Sequence, residues 1–494
     1  MTTKKSANID RREFLAKSSW ILGGLGLSPL LQTEIGQYVL RNLLPQAQAA
    51  TGTTNRVVEI CLRAGAPLMN LVTSASYVPS VTNTVPNSTN FHSDFTQIQT
   101  LPTSNGQNVY LASVGAPLAP YAENIAYSQG VMRPDGHTGL WSTRAGGNPV
   151  DDANIAMGTP AVPAVFNAAR STLGSRLGGV NFNSSGGAVV NSLNGNADLS
   201  RVSTTGTDNG SMNNDDFVRM FGPKTLRLSN AERDAILTAV ERLNVAQADR
   251  LRRRLDVATV NEAKVASEQS LVLMREDLKT VITNQYINMR DTMGFNVTPP
   301  RGMGYPLTKA LALTAIGFER NLMASSQIVM DITDFHGFNS TDRSGNLLPA
   351  QVAAHLANSL RPFLDYLRAT QDPMNPGTTL FDNTLVSIST EFWRDLELAV
   401  NMDNGDGGAM GFLFIGGNVR GGAYGNVNLN GGFRAQGFNP ATGMTADGLI
   451  HPSSVYYTTL LALGYSQATA RMEMNSRFGA QTQPLLAVLR NPVS

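Results

Sequence analysis

The most regular pattern in the chain is a set of short apolar runs that are rich in Val, Ile or Phe. Few polar residues interrupt them, which is typical of strands that are buried on both faces of a sheet. We therefore predict strands at residues 56–62, 125–131, 327–332, 384–389 and 411–415.

Helical patterns lie between these runs. Residues 307–323 form one such pattern before the third run. A second lies between the third and fourth runs, where leucines recur at near-helical spacing at positions Leu356, Leu360, Leu364 and Leu367. Strands that alternate with helices indicate an α/β fold, in which a mostly parallel sheet is covered by helices on both faces. Binding and catalytic residues are expected at the carboxyl ends of such strands.

Two regions depart from this alternation. Residues 180–216 are dominated by Asn, Ser, Gly and Thr without apolar periodicity, which predicts a long polar loop. Residues 229–295 are charged, rich in Leu and Ala, and begin with the capping-box pattern Ser229-Asn230-Ala231-Glu232. We expect a helical insertion there, made of two antiparallel helices, within a single domain of residues 50–494.

The N-terminus has the three parts of an export signal in order. Arg11 and Arg12 form a twin-arginine motif, and the apolar segment 18–27 behind it is too short and glycine-rich to span a bilayer. Ala47-Gln48-Ala49 then supplies small residues at cleavage spacing. We expect residues 1–49 to be a signal peptide and the twin-arginine export machinery to be a partner. The protein would then be periplasmic or secreted, with no stable transmembrane segment in the mature chain.

Composition excludes some classes of function. The formal charge is +1 with 38 basic and 37 acidic residues, and removal of residues 1–49 leaves 32 basic and 34 acidic residues, a charge of −2. This balance offers no basic surface for nucleic acid. The one cysteine, Cys61, lies inside the first apolar run, where a buried inert thiol is expected and no disulfide within the chain can form.

Residues that suit metal or anion binding follow two of the predicted strands. The third strand runs into Asp334 and His336, which precede a glycine, and oxygen and nitrogen ligands of this kind suit zinc or another divalent ion. The fourth strand runs into Glu391 and Arg394, a carboxylate and a guanidinium at the same edge. A structural role for His336, capping its own turn, is an equal alternative.

The loop 401–408 is a further candidate for cation binding. It contains carboxylates and an amide, among them Asp403 and Asn404, together with exposed backbone. Ordinary turns require the same residue types, so a structural turn is a strong alternative.

The order of these pieces resembles the exported domain-of-unknown-function family fifteen-oh-one, which is similar to sulfatases and alkaline phosphatases. The similar parts begin with the twin-arginine signal and the first strand with its following residues 63–66. They continue with the Asp334-x-His336-Gly337 turn, the Glu391-Phe392-x-Arg394 turn and the glycine-rich segment 416–425. This order covers roughly residues 1–465.

The resemblance implies an alkaline-phosphatase-like α/β sheet with a divalent-metal cleft at the strand ends, used to cleave phosphate or sulfate esters. It implies a zinc or calcium ion held by Asp334, His336 and Asp403, with His137 as a further ligand candidate. Asn404 stands where the family has a histidine, and a neutral amide is a poorer ligand than imidazole for a transition metal.

The resemblance also implies roles for the turn after the fourth strand. Glu391 and Arg394 match a catalytic turn of the family in which Trp393 replaces a glycine, and Arg394 would hold an anionic ester substrate. No Ser, Thr or Cys nucleophile is recognisable after the first strand, although Thr73 and Ser74 follow closely.

Two functions explain these features. The first is a metal-dependent ester hydrolase, which accounts for the residues at the strand ends and for the export signal. The second is a non-catalytic exported protein that keeps the scaffold with a partly eroded metal site and binds a partner at the cell surface. It accounts for Asn404 and for the missing nucleophile.

Overall fold

A computed structural model describes residues 55–63, 68, 71–76, 98–132, 179–183, 199–203, 235, 238–239, 242, 278–300, 307–331, 349–390, 409–428, 434–478 and 482–491. The chain divides into two compact units. One unit comprises residues 53–170, 177–224 and 278–494, and it contains all the strands and helices named below. The prediction of a single domain at 50–494 stays a prediction.

Short strands outnumber helices in the described part of the chain. The strands are β1 (Arg56–Arg63), β2 (Val72–Thr73), β3 (Gln99–Pro102), β4 (Asn108–Leu111), β5 (Ile125–Met132), β6 (Gly179–Asn183), β7 (Leu199–Ser203), β8 (Ser325–Asp331), β9 (Thr384–Thr390), β10 (Ala409–Gly416), β11 (Gly422–Tyr424), β12 (Asn426–Asn428), β13 (Arg434–Phe438) and β14 (Thr445–Ala446). The helices are α1 (Leu278–Thr292), α2 (Leu307–Glu319), α3 (Pro349–Ala369), α4 (Pro452–Ala462) and α5 (Gln467–Phe478), and a 3-10 helix covers Ser113–Asn124.

Eight of these strands form one mixed, mostly parallel sheet. Their order is β11-β5-β10-β9-β1-β8-β6-β7, and within it β10 alone runs antiparallel to its neighbours. The central strand β1 pairs in parallel with β8 on one side and with β9 on the other. Two further sheets have the orders β2-β4-β3 and β12-β13-β14. The described part of the chain therefore has an α/β fold.

The five predicted strands are confirmed as β1, β5, β8, β9 and β10. Residues 56–62 and 384–389 are buried throughout, as expected for strands that are covered on both faces. β8 begins two residues earlier than predicted, at Ser325, because the register of its parallel ladder with β1 already starts at the pair Val57 and Ser325.

Helices pack on both faces of this sheet. Val57, Leu385 and Phe414 lie in one apolar cluster with Val455 and Tyr456 of α4, which places α4 on their face. Neighbouring residues in a strand point to opposite faces. Ser325 is the register partner of Val57, so the next residue, Ser326, points to the opposite face. The hydroxyl of Ser326 is hydrogen-bonded to the hydroxyl of Thr314 in α2 over 2.9 Å, which places α2 on that opposite face.

The helical predictions agree with the structure where it describes them. α3 buries all four leucines of the predicted pattern, and α2 covers most of the segment 307–323 but ends at Glu319. α1 forms the last part of the predicted insertion at 229–295. The interpretation of that insertion as two antiparallel helices lies outside the described residues.

The prediction of a polar loop at 180–216 is wrong for residues 180–183 and 199–203. β6 and β7 lie there and extend the parallel sheet beyond β8. The Asn-rich composition hid the alternation of Val180 and Phe182, which are both buried. Residues 184–198 and 204–216 are outside the described residues.

A buried ion pair holds the start of β1 against the segment between α3 and β9. Arg56 Nη1 and Nη2 donate to the two oxygens of Asp372 over 2.6 and 2.8 Å, and both side chains are fully buried. The Asp372 carboxylate also accepts hydrogen bonds from the Met374 amide, Asn375 and Asn383. The pair lies at the amino edge of the sheet, opposite the carboxyl ends of the parallel strands.

No helix in the described part of the chain combines the length and the apolar character needed to cross a membrane.

Candidate functional site

The carboxyl edge of the sheet is where the predicted site residues would meet. β5, β8 and β9 run in one direction, so Met132, Asp331 and Thr390 end at the same edge. β10 runs the opposite way, so its first residue, Ala409, begins at that edge as well. The sequence segments next to these four strand ends carry all the predicted site residues.

These residues themselves lie outside the described part of the chain. This holds for the predicted metal ligands and for the two predicted catalytic residues, which are Asp334, His336, Asp403, Asn404, His137, Glu391 and Arg394. Their roles therefore stay predictions. The structure describes only the strand ends from which these segments continue.

The strand order sets the distances between those strand ends. β8 and β9 flank β1, so their ends are two strand spacings apart, about 10 Å. Four spacings, about 19 Å, separate β5 from β8. The end of β8 therefore lies closer to the end of β9 than to the end of β5.

One face of the central strands carries a buried polar row. Gln327, Glu59 and Ser387 are register partners across β8, β1 and β9, and each is fully buried. Gln327 Nε2 donates to Glu59 Oε2 over 3.0 Å. Sequence analysis missed Glu59, although a carboxylate inside an otherwise apolar strand was a visible signal, because burying a charge is unfavourable without a specific partner.

The row continues toward the carboxyl edge. Ser389 follows Ser387 on the same face, and its register partner on β1 is Cys61. Cys61 is buried, as predicted, and forms no disulfide among the described residues. The centre of the sheet is therefore polar on this face and leads toward the edge next to which the predicted site residues lie in the sequence.

The hydroxyls after the first strand are buried. Thr73 ends β2 and Ser74 follows it, and they are 0% and 4% exposed. Neither hydroxyl is open to a bulky ester in this structure, so neither is placed as an accessible nucleophile.

Two of the histidines, His355 and His451, have structural roles. His355 is buried on α3, where burial lowers its pKa to about 4. His451 caps the start of α4, where its Nδ1 accepts from the Ser453 amide over 3.2 Å. Burial lowers the pKa of His451 as well, which keeps the ring neutral and able to accept that bond.

The glycine-rich segment 416–425 is part of the scaffold. It leaves β10 at the amino edge of the sheet, opposite the candidate site. A Cβ atom on Gly421 would lie 2.1 Å from the Ala122 carbonyl oxygen, and one on Gly417 would lie 2.5 Å from the Asp382 carbonyl oxygen. These glycines therefore permit close backbone packing, and the segment does not belong to the carboxyl edge.

Among the described residues, no group of three or more His, Cys, Asp or Glu side chains is arranged to hold a metal ion. A comparison with protein-family models finds no match, and a comparison with curated proteins finds no significant match.

Proposed function

We propose that the protein is an exported, alkaline-phosphatase-like or sulfatase-like protein with a partly eroded divalent-metal site, and that it hydrolyses phosphate or sulfate esters. One observation carries the proposal. The strands β5, β8 and β9 end, and β10 begins, at one edge of a mostly parallel sheet, which is where α/β proteins bind their ligands.

The donors that flank these strands in the sequence fit a divalent ion. Asp334 and Asp403 supply carboxylate oxygens and His336 supplies an imidazole nitrogen, and these are ligands that zinc accepts. When bound, the ion would supply an activated water and would polarise an ester oxygen. Arg394 would hold the anionic group of the substrate, and Glu391 would hold or release a proton next to it.

A second function is favoured by one position. Asn404 offers an amide oxygen, which is a normal ligand for calcium and a poor one for zinc. A calcium site of this kind would stabilise a loop and suits a non-catalytic protein that binds a partner at the cell surface.

Metal analysis of the purified full chain separates these functions. We expect about one equivalent of a divalent ion per chain in the wild type and loss of that ion in His336→Ala, because an imidazole ligand is removed. Asn404→His should strengthen zinc uptake. The control is Asp291→Asn, which changes an exposed carboxylate on α1 and should leave the metal content unchanged.

Hydrolysis of p-nitrophenyl phosphate and p-nitrophenyl sulfate by the metal-loaded protein tests the activity. Turnover that is lost in Arg394→Ala supports the hydrolase. Metal uptake without turnover of any ester would favour the binding protein, and a chain that takes up no divalent metal would refute the proposed metal site.

A further inference from the structure

Two serine hydroxyls lie buried in the centre of the main sheet. Ser387 and Ser389 belong to β9, and both are 0% exposed. Their Oγ atoms have no hydrogen-bond partner within the described part of the chain. A buried hydroxyl is normally hydrogen-bonded, either to protein or to ordered water, so this pair requires an explanation.

The two hydroxyls lie on one face of β9, beside other buried polar side chains. Residues two apart in a strand lie on the same face, about 6.6 Å apart along the strand. The register partner of Ser387 on β1 is Glu59, whose carboxylate accepts the bond from Gln327. On the other side, Phe414 and Phe412 pair with Ser387 and Ser389, and their ring centroids are 4.8 Å apart.

The surroundings favour water as the occupant. Two hydroxyls next to a hydrogen-bonded carboxyl and amide offer the two to four polar partners that a buried water needs. A water at about 2.8 Å from each hydroxyl spans most of the separation between the two serines. Apolar rings close the β10 side, so a larger polar ligand would meet a surface with which it cannot hydrogen-bond.

We propose that Ser387 and Ser389 form a buried water site, in which one or two ordered water molecules join the two hydroxyls to the Glu59–Gln327 pair. The water extends the polar row from the interior of the sheet toward its carboxyl edge. The site stands on the described residues alone and does not depend on the proposed hydrolase.

A crystal structure of the full chain at high resolution tests the site directly. We expect density for at least one water within about 3.2 Å of Ser387 Oγ or Ser389 Oγ, and its loss in Ser389→Ala. A protein atom at hydrogen-bonding distance from both hydroxyls, or no water density beside them, would overturn the proposal. The wild-type structure decides this even if a variant fails to fold.

Thermal unfolding gives an independent measurement. If the hydroxyls hold water, Ser387→Ala and Ser389→Ala should each lower Tm by about 1–2 °C, a small shift because a chain of 494 residues unfolds with a large entropy. If the hydroxyls have no partner at all, removing one should raise Tm, which would contradict the proposal. The control is Ser326→Ala on the opposite face, which breaks a direct 2.9 Å bond to Thr314 and should lower Tm in either case.

An ion in place of the water is the remaining outcome. Addition of calcium or zinc should leave the difference in Tm between wild type and Ser387→Ala unchanged. A rise in the Tm of the wild type that is absent in this variant would show that a cation binds beside the hydroxyls, and would refute the water site.

Discussion

Replacement of Arg56 by Met should lower the free energy of unfolding more than the loss of an exposed ion pair would. The Arg56 guanidinium and the Asp372 carboxylate form two hydrogen bonds of 2.6 and 2.8 Å in a fully buried setting. Removing one partner of such a pair leaves an uncompensated buried charge, which costs about 3–5 kcal/mol. Met retains most of the aliphatic stem, so the loss of charge dominates the effect.

The structure predicts that Asp372→Asn lowers the free energy of unfolding more than Arg56→Met does. In Arg56→Met, the Asp372 carboxylate keeps its bonds from Met374, Asn375 and Asn383, so we expect a cost of about 3 kcal/mol. In Asp372→Asn, the buried guanidinium loses its anion, and we expect about 5 kcal/mol. The double variant buries neither charge, so its cost should fall short of the sum by about 2 kcal/mol or more.

Equilibrium urea unfolding at pH 7, followed by circular dichroism, measures these free energies. The control is Arg290→Met, whose ion pair with Asp291 is exposed and should contribute less than about 1 kcal/mol. Single variants that cost less than the control, or costs that simply add in the double variant, would refute the reasoning. Metal uptake should not change in Arg56→Met, because the pair lies at the edge opposite the candidate site.

Burial raises the pKa of the Asp372 carboxyl, but the hydrogen bonds and the charge of Arg56, with Asn375 and the Met374 amide, hold it below its usual value. A depressed carboxyl pKa contributes stability that is present above the unfolded value of about 3.9 and is lost as the pH falls below it. The difference in stability between wild type and Asp372→Asn should therefore be constant from pH 7 to about pH 5, and should shrink below about pH 4.

A buried histidine, a closely packed glycine and the export signal each offer a further test. Burial lowers the pKa of His355 to about 4, so the unfolded chain binds a proton on this histidine more tightly than the folded chain does. The free energy of unfolding should therefore fall by up to about 3 kcal/mol as the pH drops from about 6.5 to about 4. In His355→Leu this part of the decline should be missing when urea midpoints are measured over the same pH range. Gly130→Ala should cost about 1–3 kcal/mol in thermal unfolding, since its Cβ would lie 2.3 Å from the Gln436 carbonyl oxygen, whereas Gly411→Ala, with 3.3 Å to its nearest atom, should cost much less. Changing Arg11 and Arg12 to lysine should retain the precursor in the cytoplasm in a fractionation assay, and normal export of this variant would exclude the twin-arginine route.

For the candidate site, the sequence identifies residues and the structure gives the order of the strands that precede or follow them. Residue types and spacing singled out Asp334, His336 and Glu391 because each follows a predicted strand. Only the strand order revealed that β1 lies between β8 and β9, which sets the separation of the ends of these two strands. The sequence cannot supply this order, since an apolar run specifies that a strand is buried but not which strand it pairs with.

Local patterns were sufficient to predict the five main strands, the leucine-rich helix and the buried thiol of Cys61, because an apolar run or a side chain that is commonly buried can be recognised without the fold. The reversed direction of β10, the strands β6 and β7, and the buried polar pairs depend on tertiary packing. Gln327 lies 268 residues from Glu59, and Arg56 lies 316 residues from Asp372. Contacts over such distances are selected by the packing of the whole sheet, and no local pattern encodes them.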